Sequence, residues 1–182
     1  GMIMICGPTG SGKTTTLYAM LNSIDFFSRN VVTVEDPVEY VLPNTSQIEV
    51  NVKADITFAK ALRSILRQDP DVIVVGEIRD EETAAIAVKA AETGHLVLAT
   101  MHSSSNSASI VRLMDLGIKP LLVTASVQLL ISQRLVRKLC DQCKRPAELK
   151  ENQKQAFIQQ GLDPANVHVA VGCEECDNTG YS

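Results

Sequence analysis

Tryptophan is absent from the 182 residues, aromatic side chains make up only 4%, and the formal net charge is -4. Few rings means few platforms on which single-stranded bases could stack. An acidic balance likewise lacks the excess of Lys and Arg that neutralises nucleic-acid phosphates. No nucleic-acid partner is expected. Long hydrophobic runs are missing as well. The longest, Leu121 to Ile131, is interrupted by Thr124, Ser126 and Gln128, and a membrane-spanning helix needs about 20 apolar residues. The amino terminus does not combine a charged start, an apolar stretch and a small-residue cleavage site. A cytoplasmic protein is the resulting expectation. The strand-like opening Gly1-Met2-Ile3 and the abrupt close Gly180-Tyr181-Ser182 read as the ends of a piece cut from a longer chain.

The apolar fraction, 45%, is enough for one ordinary core. Its distribution predicts an α/β fold. Met2 to Cys6, Val31 to Glu35, Val72 to Val75 and His95 to Thr100 are short apolar runs bounded by glycine, proline or polar residues, as buried parallel strands are. Four strands are the minimum. Between them Phe58, Leu62, Ile65 and Leu66 recur at helical spacing, opposite a basic face of Lys60, Arg63 and Arg67. A second helix is expected from an Asp80 cap to Gly94, and Pro120 can open a third. From Leu139 onward the chain is polar, with cysteines in two pairs. Residues 1–138 therefore read as a core domain and 139–182 as a small satellite whose only helical candidate is Gln153 to Gln160.

Gly7-Pro8-Thr9-Gly10-Ser11-Gly12-Lys13-Thr14 satisfies the GxxxxGK[ST] phosphate-loop pattern between a strand and the helical stretch Thr15 to Leu21. Glycines let backbone N–H groups close on phosphate oxygens, Lys13 adds a point charge, and the Thr14 hydroxyl is a magnesium ligand. ATP and Mg2+ are the implied ligands. Beyond the second strand lies Thr33-Val34-Glu35-Asp36-Pro37-Val38-Glu39-Tyr40, where Glu35 and Glu39 both compete to activate a hydrolytic water. The run Val72 to Val75 ends in Gly76-Glu77, the pattern of a Walker B strand with glycine at the usual Asp position, which leaves Glu77 to carry the charge. His102 and Ser103 sit just past another strand end, where a histidine can sense the γ-phosphate.

Cys140-Asp141-Gln142-Cys143 and Cys173-Glu174-Glu175-Cys176 form two CxxC pairs separated by 29 residues. Two such knuckles can close four thiolates around a structural zinc; free thiols or a redox pair are the alternatives. Cys6 lies inside the first strand and reads as a small core residue. Arg134, Arg137, Lys138, Lys144 and Arg145 cluster before and within this segment, as a solvated face or a partner contact.

The phosphate loop, EDPVEY, ALRSILRQDPDVIVVGEIRD and TGHLVLATMHS follow one another in the order found in type II secretion and type IV pilus ATPases, which the chain resembles from Gly1 to Tyr181. The resemblance implies a RecA-like P-loop NTPase that works as a homo-hexameric ring against an inner-membrane platform protein. It gives Glu39 the role of general base, Glu77 that of the Walker B acid that holds magnesium through water, and His102 that of the His-box residue near the γ-phosphate. Glu35 and His95 match positions whose roles are less defined. Gly7 to Thr15 would bind the nucleotide. LCDQCK and VGCEECDNTGY resemble the two halves of the zinc-binding insert of assembly and secretion ATPases. The resemblance also implies an amino-terminal domain that supplies arginines to the phosphates, expected to lie outside these 182 residues. Two other classes share the phosphate loop: a RecA-like nucleic-acid motor and a non-hydrolysing nucleotide sensor.

Overall fold

The computed structural model describes all 182 residues, in two compact units, Gly1–Leu135 and Val136–Ser182. In the first, the chain runs β1 (Met2–Cys6), α1 (Lys13–Leu21), β2 (Val31–Glu35), β3 (Thr45–Glu49), α2 (Phe58–Ile65), β4 (Val72–Val75), α3 (Glu81–Glu92), β5 (Leu96–Met101), α4 (Asn106–Asp115), α5 (Pro120–Ser126) and β6 (Val127–Ser132). The strands form one six-stranded sheet in the order β3-β2-β4-β5-β1-β6, and every neighbouring pair is parallel.

Both faces of this sheet are buried, which is why its central strands are continuous apolar runs rather than alternations. The alternation survives in which layer each residue joins. Met2, Met4, Val32, Val34, Ile73, Val75, Val97 and Ala99 face the layer made by α2 and α3 with Leu113 of α4 and Val123 of α5. Ile5, Val31, Val72, Val74 and Leu98 face Leu17, Tyr18 and Leu21 of α1. Side-chain oxygens cap the helices: Thr57 accepts from the Lys60 amide, Asp80 from Thr83 and Ser105 from Ala108. Cys6 is fully buried in β1.

Two strands lie beyond the four expected. β3 is an edge strand of sequence TSQIE, mostly polar, with Ile48 its packed apolar residue. β6, at the other edge, starts at Val127, the residue after the last of α5, with no glycine or proline between them.

The second unit is built differently. Arg145–Pro146 (β7) pairs antiparallel with His168–Val169 (β8), and α6 (Glu151–Gln159) buries no side chain at all. Its buried side chains are those of Cys140, Cys143 and Cys176, which pack with Cys173. No helix is long and apolar enough to cross a membrane.

Candidate functional site

Because the six strands are parallel, their carboxyl ends share one edge of the sheet, the edge at which open α/β sheets bind ligands. That edge gathers residues far apart in sequence: the phosphate loop after β1, Asp36 to Glu39 after β2, Gly76 and Glu77 after β4, and His102 after β5. Thr9, Gly10, Gly12, Lys13, Thr14, Thr15, Glu39, Glu77 and His102 line a single cleft of about 550 Å³ there, within the usual range for a small-molecule site. Gly7, Pro8 and Ser11 belong to the loop without lining the cleft. His95, by contrast, precedes β5 and stands at the opposite edge. Its Nδ1 lies 2.9 Å from the Ala90 carbonyl and 3.2 Å from Thr93 Oγ1, where it closes the end of α3.

The loop is prepared for an anion. Gly12, at φ 81°, turns the chain into α1 in a left-handed conformation that favours glycine, and it offers no capping side chain. The first amides of α1 are left as donors facing the cleft, the arrangement that binds phosphate at helix amino termini. Lys13 Nζ reaches across the loop to the carbonyl oxygens of Gly7 and Pro8, at 3.1 and 3.0 Å. Burial pulls its pKa below the ordinary lysine value, and the nearby Glu77 charge partly opposes this. Ser11 Oγ is the one buried side-chain oxygen or nitrogen in the chain with no hydrogen-bond partner. Native structures rarely leave such a group unsatisfied away from a functional site. Open donors, a buried ammonium and the Thr14 hydroxyl fit a magnesium-bound polyphosphate.

The carboxylates divide by their partners. Glu77 is largely buried, with Oε2 2.6 Å from Arg79 Nη2 and Oε1 3.4 Å from His102 Nε2. Arg79 also lies 3.6 Å from Asp36 Oδ2, and its bond to Glu77 raises its pKa further. Position 76 is tight for the usual aspartate: a Cβ there would sit 3.0 Å from the Val34 carbonyl oxygen and 3.1 Å from Glu35 Cα, so the β2 backbone would have to give by a few tenths of an ångström. Glu35 is buried, and its carboxylate accepts hydrogen bonds from Tyr18, Thr33 and Gln47. Glu39 is exposed at the cleft, and its carboxylate carries neither a hydrogen bond nor a salt bridge.

Gln133, just after β6, was not foreseen as part of the site. Its Nε2 donates to the Ser11 carbonyl at 2.7 Å, and its Oε1 accepts from Thr16 Oγ1 at 2.6 Å, so one amide clamps the phosphate loop to α1. Nothing in the sequence marks it without β6. Arg79, too, carries no motif signal of its own, yet it pairs with the acid two residues before it.

In the second unit, Cys140 Sγ lies 3.9 Å from Cys173 Sγ, Cys143 Sγ 3.8 Å from Cys176 Sγ, and Cys173 Sγ 3.7 Å from Cys176 Sγ. Sulfurs about 2.3 Å from a tetrahedral zinc are about 3.8 Å apart, so these separations fit that ion. Backbone amides of Gly172, Cys173 and Gly180 donate to the sulfurs of Cys143 and Cys176, which favours thiolate. Burial pushes the Cys176 thiol up, but the amide bonds and the neighbouring thiols of Cys173 and Cys143 bring its pKa down, while burial raises that of Cys173.

The family model described as type II/IV secretion system protein matches residues 1–182. Type II secretion system protein E of Pseudomonas aeruginosa is 53% identical over 184 aligned residues, which cover 100% of this chain and 36% of that protein. The type IV pilus assembly ATPase PilB of Myxococcus xanthus is 49% identical over 186 residues, covering 100% of this chain and 32% of that protein. The chain thus spans about a third of the length of these relatives. Among solved structures, the pilus retraction motor PilT with bound ADP superposes with a TM-score of 0.69 at 44% identity, over 78% of this chain and 44% of that one. Over its whole length, then, the chain belongs to the type II/IV secretion system protein family.

Proposed function

We propose that this chain is the nucleotide-hydrolysing part of a cytoplasmic motor that drives assembly of a type II secretion pseudopilus or a type IV pilus. The observation that carries the proposal is the convergence of Lys13, Glu39, Glu77 and His102 on one cleft at the carboxyl edge of the sheet. The names of the relatives, a secretion protein E and a pilus assembly ATPase, point the same way.

In this reading Lys13 and the first amides of α1 bind the β- and γ-phosphates of ATP. Thr14 and Glu77 would hold magnesium, which neutralises charge on the transferred phosphoryl group. Glu39, unpaired and open to solvent, orients the attacking water and accepts its proton. Glu35 is unsuited to that task because three donors already occupy its carboxylate. His102, beside Glu77, reports the state of the γ-phosphate. The four cysteines hold a structural zinc, since four protein ligands leave no open position for chemistry. The working form is a homo-hexameric ring acting on an inner-membrane platform protein.

Replacing Glu39 with Gln tests the assignment. ATP affinity should stay within about twofold while turnover in the full-length protein falls by at least about a hundredfold. A Glu39→Gln protein hydrolysing ATP at the normal rate would refute it.

A further inference from the structure

A buried carboxylate that takes no part in the proposed chemistry still needs a reason to be there, because an unpaired charge in a core is strongly unfavourable. Glu35 is 4% exposed at the end of β2. One of its oxygens accepts from the Tyr18 hydroxyl, and the other accepts from Thr33 Oγ1 at 2.5 Å and Gln47 Nε2 at 3.0 Å. Gln47, in edge strand β3, uses every hydrogen-bonding atom of its amide. The second Nε2 hydrogen goes to the Tyr40 carbonyl at 2.9 Å, and Oε1 accepts from the Leu42 amide at 2.7 Å. Glu49, two residues along the same strand, accepts from the Val38 amide at 3.1 Å. Tyr18 packs edge-on against Tyr40 with ring centroids 5.5 Å apart.

Val38, Tyr40 and Leu42 are alternate residues of the loop that carries Glu39, and each is held through its backbone. Gln47 and Glu49 of strand β3 hold them, the Tyr18 hydroxyl of α1 also donates to the Tyr40 carbonyl at 3.3 Å, and Glu35 ties Gln47 to Tyr18 on that helix, which begins at Lys13. We infer that Gln47, backed by Glu35 and Tyr18, is a positioning residue that fixes the Glu39 loop in register with the phosphate loop. Glu39 gains a defined place without spending its own carboxylate on a structural bond. The inference rests on Glu39 being the group that activates water. Removing Gln47 leaves the Glu35 oxygen one donor short, frees the Leu42 amide and leaves the Tyr40 carbonyl only the Tyr18 hydroxyl at 3.3 Å, so the hold on the loop is weakened while the phosphate loop keeps its own contacts.

The test combines turnover in the full-length protein with amide hydrogen exchange in the 182-residue chain. Gln47→Ala should lower kcat at least about tenfold, in line with the cost of misplacing a catalytic group, and leave the KM for ATP within about twofold. Tyr18→Phe, which keeps the ring and deletes only the hydroxyl, should move kcat the same way. In a Glu39→Gln background, Gln47→Ala should slow hydrolysis no further, because the group it positions is gone. The Leu42 amide, bonded to Gln47, should exchange at least about tenfold faster in Gln47→Ala, with the amides of α1 unchanged. Normal kcat in Gln47→Ala, unchanged exchange at Leu42, or a full additional loss in the Glu39→Gln background would each overturn the inference. Normal turnover in Glu39→Gln alone would instead remove the base assignment, and the exchange data would still decide whether Gln47 holds the loop.

Discussion

Chelation of the proposed zinc should perturb the unit Val136–Ser182 where it has least in reserve. That unit buries Cys140, Cys143 and Cys176, its helix α6 buries nothing, and Ile158 on that helix is 62% exposed. Zinc bound to small structural sites contributes about 10–16 kcal/mol, comparable with the about 5–15 kcal/mol that holds an ordinary domain together. No other buried apolar cluster in the unit offsets such a loss, so stripping the metal should unfold it. Unit Gly1–Leu135 has its own two clusters on either face of the sheet and should stay folded. Hydrogen exchange before and after a strong chelator separates the two. The amides of Cys140, Lys144 and Gly180, bonded to the Gly180 carbonyl, the Cys140 carbonyl and the Cys176 sulfur, should lose protection by about a thousandfold or more, since every 1.4 kcal/mol is about tenfold. Amides of β1 and β5 should not change. One zinc per chain should appear in the released fraction. Absence of zinc in chelator-free protein, or a second unit that keeps its protection after the metal is gone, would refute the reasoning.

Two further substitutions probe the phosphate loop. Lys13→Ala removes a charged donor worth about 1.5–3 kcal/mol, so fluorescent-nucleotide titration should find binding at least about tenfold weaker; unchanged affinity would contradict the loop assignment. Gln133→Ala deletes the bonds to Ser11 and Thr16, each worth about 0.5–1.5 kcal/mol. ATP affinity should fall by about tenfold with secondary structure intact, and an affinity within twofold of the parent would show that the clamp does not order the loop.

The elements legible in the sequence are those whose signal is local. The glycines and Lys13 of the phosphate loop, the apolar runs of β1, β2, β4 and β5, and the Asp80 cap all announce themselves within a dozen residues. What stayed hidden depended on neighbours far along the chain. β3 carries Thr45, Ser46 and Gln47 in succession and exists because β2 offers it an edge. β6 continues an apolar run begun in α5, where no turn residue marks the change of period. Gln47 and Gln133 sit in or beside these two strands, so their roles were invisible with them. Likewise the choice between Glu35 and Glu39, open from chemistry alone, rested on the family resemblance, and the three donors on the Glu35 carboxylate support the same reading.

Helix α1 is fastened at two points. Thr16 is tied to Gln133 beyond β6, and Tyr18 to Glu35 at the end of β2. Two residues apart, these side chains leave the helix about 200° from one another. A rod pinned on opposite flanks cannot roll about its own axis. In the proposed motor, a push delivered at Lys13 by a change in the bound phosphates would therefore be passed to the sheet as a whole. The output of this unit would then be displacement of an intact block, and the compliance needed for a stroke would reside at its borders.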